Sequence, residues 1–201
     1  MKKIAVAVLA VLLFAPSAFA VGESGWGLGV KLGFAENDPK GMKDNNVPGT
    51  SLDKNGAYFS VEGQYEWALQ DANKLGLRFG LDSYGENELK GSGQKATEDT
   101  IAFPVTVYYK LDKGVKAFSF YGGAGLTYIY TDIDNNYVGH KDSSKGKVFP
   151  HVVVGAEYRF TELFALGLDA RYNFAAKLKK DGIVISDRSG FGAAIAGRFY
   201  F

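Results

Sequence analysis

The sequence predicts an all-β chain closed into an eight-stranded antiparallel transmembrane β-barrel, with short periplasmic turns and long extracellular loops. Three observations lead there. Apolar side chains recur at every second position, the connections are alternately short and long, and aromatic residues gather at two levels of one face. Period two is the spacing of a strand, whose successive side chains point to opposite faces.

Eight segments carry that spacing. The first reads Trp26, Leu28, Val30, Leu32, Phe34, and the second Phe59, Val61, Gly63, Tyr65, Trp67. The third reads Leu75, Leu77, Phe79, Leu81, Ser83, and the fourth Ile101, Phe103, Val105, Val107, Tyr109. Phe120, Gly122, Ala124, Leu126, Tyr128 make the fifth, and Val152, Val154, Ala156, Tyr158, Phe160 the sixth. The seventh is Phe164, Leu166, Leu168, Ala170, Tyr172, and the eighth Ala193, Ile195, Gly197, Phe199, Phe201. None of these forty positions is charged, although 22% of the chain is, which would place about nine charges among them by chance. The alternate positions hold five bases (Lys31, Arg78, Arg159, Arg171, Arg198) and five acids (Glu62, Glu66, Asp82, Glu157, Asp169). A soluble sandwich also alternates, with its apolar face inside and its charged face in water.

The connections separate the two architectures. Those after the second, fourth and sixth segments (68–74, 112–117 and 161–163) are short. Those after the first, third, fifth and seventh (35–56, 85–100, 132–147 and 175–190) are long and rich in Asp, Asn, Lys and Gly. Short turns at one end and long loops at the other are the pattern of a membrane barrel. With both termini on the short-turn side, Trp26, Trp67, Tyr109, Phe118, Phe160, Phe164 and Phe201 fall at one rim of the apolar face. Phe34, Phe59, Phe103, Tyr128, Tyr130, Tyr172 and Phe191 fall at the other, giving two interfacial girdles. Tilted strands of ~10 residues span the hydrocarbon layer, and an even number of antiparallel strands closes without an edge. Pro104 and Pro150 are expected at strand starts, where a missing N–H costs least.

Composition agrees with two opposed faces. The mean hydropathy of −0.09 is an average over outward apolar and inward polar residues. The 201 residues include 15 Phe, 12 Tyr, 2 Trp and 26 Gly, with a net charge of +1 and no cysteine. That balance offers no basic footprint for nucleic acid, and without cysteine there is no disulfide, thiol nucleophile or thiolate metal site.

Residues 1–20 read as a cleavable secretory signal peptide and 21–201 as the barrel domain. Lys2 and Lys3 precede an apolar run of twelve, Ile4 to Ala15, and Ala18-Phe19-Ala20 supplies the small-x-small cleavage pattern. Twelve helical residues cover about 18 Å, short of a hydrocarbon core of ~30 Å. The protein is therefore expected to be exported.

These residues bring a known family into view. The cleavable signal, eight strands, four long loops, the strand Tyr121-Gly122-Gly123-Ala124-Gly125-Leu126 and the terminal Gly197-Arg198-Phe199-Tyr200-Phe201 resemble the small eight-stranded outer-membrane barrels. That group includes OmpX, OmpW and the membrane domain of OmpA. The resemblance implies a place in the cell outer membrane of a Gram-negative envelope, among outer-membrane lipid and lipopolysaccharide. It also implies handling by periplasmic chaperones and the outer-membrane assembly machinery, with Phe199 and Phe201 matching the C-terminal signal which that machinery reads. A monomer is expected.

An eight-stranded barrel is just wide enough for its side chains to fill it. Five inward acids against five inward bases suit a paired network better than an ion-selective ring of one sign. The short turn at 68–74 sets Glu66 opposite Gly76 and Glu62 opposite Gly80, with Arg78 diagonal to both acids. In the same way Glu157 faces Gly167, and Asp169 faces Gly155, so large residues meet glycines. A polar, plugged interior with a structural or surface-interaction role, its extracellular ligand met at the loops, is the leading expectation. The alternative is a narrow channel or conduit for small, OmpW-like apolar solutes, although the sequence shows no strongly apolar inward stripe.

A lipid A-modifying enzyme is the remote alternative, since some small barrels carry a His and Ser pair near the outer rim. Of the two histidines, His140 lies in a loop and His151 is inward by phase, with Ser60 inward at a similar height. No catalytic residue is assigned. Asp132-Ile133-Asp134-Asn135-Asn136 echoes a calcium loop but places Tyr137 where Gly is needed and Ser143 where the bidentate Glu belongs. No metal and no cofactor are expected.

Overall fold

The computed structural model describes residues 24–36, 55–69, 72–91, 94–113, 115–135, 143–180 and 183–201. The signal segment with Ala18 and Ala20, and the loop histidine His140, lie outside the described residues. Strands β1 (Gly25–Glu36), β2 (Asn55–Ala68), β3 (Asn73–Gly91), β4 (Gln94–Leu111), β5 (Phe118–Asn135), β6 (Ser143–Arg159) and β7 (Phe164–Asn173) follow one another in chain order. Two short strands, β8 (Lys177–Lys180) and β9 (Ile183–Asp187), form a separate hairpin before β10 (Gly190–Tyr200).

The order around the sheet is β1-β10-β7-β6-β5-β4-β3-β2, a closed antiparallel barrel of eight strands. Closure is made by β10 on β1, from Gly27 opposite Tyr200 to Ala35 opposite Gly192. The start of β1 and the end of β10 sit at the short-turn end, where the Phe201 N–H donates to the Trp26 carbonyl at 2.9 Å and the Ala68 N–H to Ser24 Oγ at 2.9 Å.

The alternation behaves as the period-two pattern demands. Of the forty uncharged positions only Gly63 is buried, beneath the Phe79 ring. Val154, Leu168 and Ile195, each more than half exposed, stand for an apolar belt that would be intolerable in water and is native to lipid. Aromatic clusters mark its two rims. Trp26, Tyr65 and Trp67 pack edge to face at the short-turn rim, and Phe118, Tyr158 and Phe160 do the same on the opposite side of the barrel. Phe103 with Tyr128 and Tyr172 with Phe174 mark the long-loop side. Tyr109, Phe34 and Phe59 are exposed, whereas Phe164 is half-buried between Phe160 and Phe199.

Two expectations need correction. The connections after the third and fifth segments are largely strand, because β3 and β4 pair out to Gly91 opposite Gln94, and β5 and β6 to Ile133 opposite Ser143. Hydrogen bonding sustains these ladders where no apolar face marks them. The two prolines lie inside β4 and β6, not at strand starts. The β3–β4 ladder lacks the two pairs beside Pro104, between Phe79–Val105 and Asp82–Ala102, and resumes in the same register. The Pro150 carbonyl accepts from the Phe174 N–H at 2.9 Å, just past the end of β7. Its missing N–H therefore falls where the partner strand has already left the ladder.

Candidate functional site: the barrel lumen

Every charge of the inward phase turns into the lumen, and most reach across it. Arg198 on β10 is the hub. Its Nε donates to Glu62 on β2 at 2.9 Å, Nη1 to Glu157 on β6 at 3.3 Å, and Nη2 to both Asp169 oxygens on β7 at 2.7 and 2.9 Å. Lys31 on β1 lies 2.5 Å from both Glu62 and Asp169. Arg78 on β3 reaches Asp169 on the diametrically opposite strand at 3.5 Å, Glu62 at 3.7 Å and Gln64 at 3.2 Å. Of the two acids expected for Arg78 the structure joins it to Glu62. Glu66 is instead held by Tyr108 at 2.8 Å, Lys110 at 3.1 Å and Lys74 at 3.4 Å.

The expected registers are present, with Glu66 opposite Gly76, Glu62 opposite Gly80, Asp169 opposite Gly155 and Glu157 opposite Gly167. Glycine is required where a ring lies flat over the neighbouring strand. A Cβ at Gly76 would strike the Tyr108 ring, and one at Gly155 the Tyr121 ring. Those rings in turn lie 4.7 and 4.9 Å from the Arg78 guanidinium, covering its faces while its edge meets carboxylates.

The balance of five against five leaves out charges at the strand ends. Lys74, Lys110 and Asp112 are also buried in the lumen, each at or just past a strand end. Lys110 bridges Glu66 and Glu157, and Asp112 takes Lys74 at 3.0 Å and Arg159 at 3.6 Å. On the eight wall strands and their ends seven bases thus face six acids, and among the described residues Arg188 and Asp187 are buried as well, nearer the long-loop mouth. Charges this deep on the wall strands and their ends are tolerable because each has a counter-charge within 3.6 Å, Arg159 at the long end of that range.

Toward the long-loop end the chemistry changes. Arg171 on β7 spans the lumen to Asp82 on β3 at 2.8 Å and donates to Tyr84 Oη at 2.8 Å. His151 is wedged between Thr106 and Thr127, whose hydroxyls lie 2.8 and 2.9 Å from its ring nitrogens. Both ring nitrogens of His151 are thus engaged by threonines, and Ser60 stands on β2, opposite β6 across the barrel. Above them sits an apolar cluster of Ala35, Tyr58, Tyr84, Ala102, Ile129, Phe149, Ala176 and Ala194. It is a local patch at one end of the lumen, with Ile129 and Phe149 its large wholly apolar members, and not a stripe along a strand. Between the charged and apolar layers lies a void of about 20 Å³, bordered by Lys31, Glu62, Arg78, Asp82, Asp169 and Arg171. That is room for one water molecule.

The family model for the outer membrane protein beta-barrel domain matches residues 6–199. The chain belongs to that family. Its place is the cell outer membrane, with the short turns in the periplasm and the long loops outside. No curated protein sequence matches it. Among solved structures, OprG from Pseudomonas aeruginosa is 14% identical and superposes with a TM-score of 0.58 over 91% of this chain and 99% of that one. Ail, the attachment invasion locus protein of Yersinia pestis, is 17% identical with a TM-score of 0.55 over 89% and 97%. Neisserial surface protein A is 16% identical with a TM-score of 0.51 over 89% and 99%. At these identities the likeness is one of fold. Ail has also been crystallised with the heparin analogue sucrose octasulfate.

Proposed function

We propose that this outer-membrane barrel is non-conducting and serves as a rigid structural stand for contacts outside the cell, not as an enzyme. The observation that carries the reading is the lumen: an ion-paired layer crosses it from wall to wall and leaves a void of about 20 Å³. A hydrated ion or small solute needs a continuous path, and side chains occupy it.

The strand extensions give the surface role its substance. β3, β4, β5 and β6 pair beyond the ends of their neighbours, whereas β1 and β2 stop at Glu36 opposite Asn55, and β7 and β10 at Asn173 opposite Gly190. β2 pairs with β3 only as far as Tyr84, so among the described residues the length from Gly85 to Gly91 is an outward sheet edge. Such an edge offers backbone N–H and C=O groups to a partner. By its complex with a heparin analogue, Ail sets sulfated glycans as the first ligand class to try here.

The same reading takes outer-membrane lipid and lipopolysaccharide as the partners of the aromatic girdles. Periplasmic chaperones and the assembly machinery are its partners in biogenesis, with the machinery reading Phe199 and Phe201. Export follows cleavage after Ala20, and the mature barrel is a monomer. Whole cells displaying the protein should bind immobilised heparin or host matrix, and replacing residues 86–99 by a two-residue turn should abolish binding while leaving surface display intact. Binding that survives this deletion contradicts the surface role of the extension.

A second reading is favoured by the apolar cluster around Ile129 and Phe149. It makes the outer half of the lumen an entry for small apolar solutes. Uptake of such solutes by vesicles carrying the protein, absent from empty vesicles, decides for it.

A further inference from the structure

We propose that the β8–β9 hairpin is a hinged lid over the extracellular mouth, latched by Arg188, and that it opens as a unit while the charged layer beneath stays shut. The wall strands β7 and β10 end and resume at Asn173 and Gly190. The chain between them does not simply loop outward. Ala176 is fully buried in the apolar cluster at the mouth, with Ala102 and Phe149. Arg188, 2% exposed, extends across the lumen from the root of β10 to β4 on the opposite wall. There its Nη2 donates to Thr100 Oγ1 at 2.9 Å, and its guanidinium lies 4.7 Å from the Tyr84 ring.

The hairpin is tied to itself. The Arg188 N–H donates to the Ala176 carbonyl at 3.0 Å, the Ala176 N–H to Ser189 Oγ at 2.8 Å, and the Ser189 N–H to Asp187 Oδ1 at 3.1 Å. Its two joints with the wall both carry left-handed backbone, Ala175 at φ 50° and Gly190 at φ 144°. These are two points where small rotations swing the hairpin at the cost of no wall pair beyond the terminal Gly190–Asn173. Lys147 on β6 donates to the Ala175 and Lys177 carbonyls at 2.9 and 3.0 Å, holding the hinge side to the wall. The latch and the hinge thus lie on opposite sides of the mouth. Opening frees Arg188 and Ala176 and exposes the apolar cup, whereas the ion pairs of Arg198, Lys31 and Lys110 belong to wall strands and do not move with it.

The absence of native cysteine makes a single reporter thiol clean to read. Ala102→Cys places one beneath the lid at a fully buried position. In the full-length protein in nanodiscs, a small charged maleimide should label this thiol slowly with Arg188 present. Arg188→Ala should raise the rate at least tenfold, and Arg188→Lys should restore part of the protection. Equal rates with and without Arg188, or fast labelling in both, overturn the lid. Hydrogen exchange on the unmodified protein keeps the test independent of these variants. The amides of Ala176 and Arg188 should exchange at least a hundredfold faster than those of Ala165 on β7 and Ala196 on β10. Equal protection overturns the proposal.

Discussion

The two halves of the lumen are closed by different means. In the periplasmic half the closing groups are charged side chains borne on wall strands, and each carboxylate of the Glu62, Glu157 and Asp169 set meets several cations from different strands. In the extracellular half one crossing pair, Arg171 with Asp82, remains, and above it apolar residues and a connection that is not part of the wall do the closing. The difference teaches where rigidity resides. A crossing ion pair ties opposite walls together and fixes the barrel's section, while apolar packing at a mouth tolerates rearrangement at lower cost.

The largest expected effect comes from breaking the hub. Arg198→Ala removes the cation shared by three carboxylates at the lumen centre and should destabilise the barrel by about 3–5 kcal/mol, read as a lowered urea midpoint in detergent micelles. Arg78→Ala should cost less, about 1–3 kcal/mol, because its contacts to Asp169 and Glu62 are longer than those of Arg198. Unchanged unfolding of Arg78→Ala removes that residue from the network. Gly76→Ala tests the packing that supports the same layer. It pushes on the Tyr108 ring, which donates to Glu66 at 2.8 Å, and overpacking of this kind costs about 1–3 kcal/mol. The smallest change belongs to the extracellular half. Ile129→Val, in the apolar cluster, should cost about 0.5–1.5 kcal/mol and leave the network's response to Arg198→Ala unaltered. Strong coupling between the two sites contradicts the division into independent layers.

The wall was legible because period two is a local constraint that lipid enforces at every outward position. The glycine pairings followed from turn length alone. Lys74, Lys110 and Asp112 escaped notice because they lie at or beyond the edge of the apolar runs that marked the strands. Continuing the inward phase of Arg78 back to position 74, and of Tyr108 on to 110 and 112, finds all three. The strand extensions were hidden for a related reason: past the membrane neither face is apolar, so their Thr, Asp and Lys content reads as loop. Ile129 and Phe149 occupy inward positions on strands that were judged by their outward face. Nothing in the sequence around Arg188 shows that it crosses the mouth, because that contact joins residues 88 positions apart.

The central claim, a lumen closed by crossing ion pairs, is tested most directly by conductance of the refolded protein in a planar lipid bilayer. The native protein should stay silent across repeated insertions verified by heat-dependent gel mobility, and Arg198→Ala should raise the frequency of openings. Reproducible channel events from the native protein would contradict the account and favour the conduit.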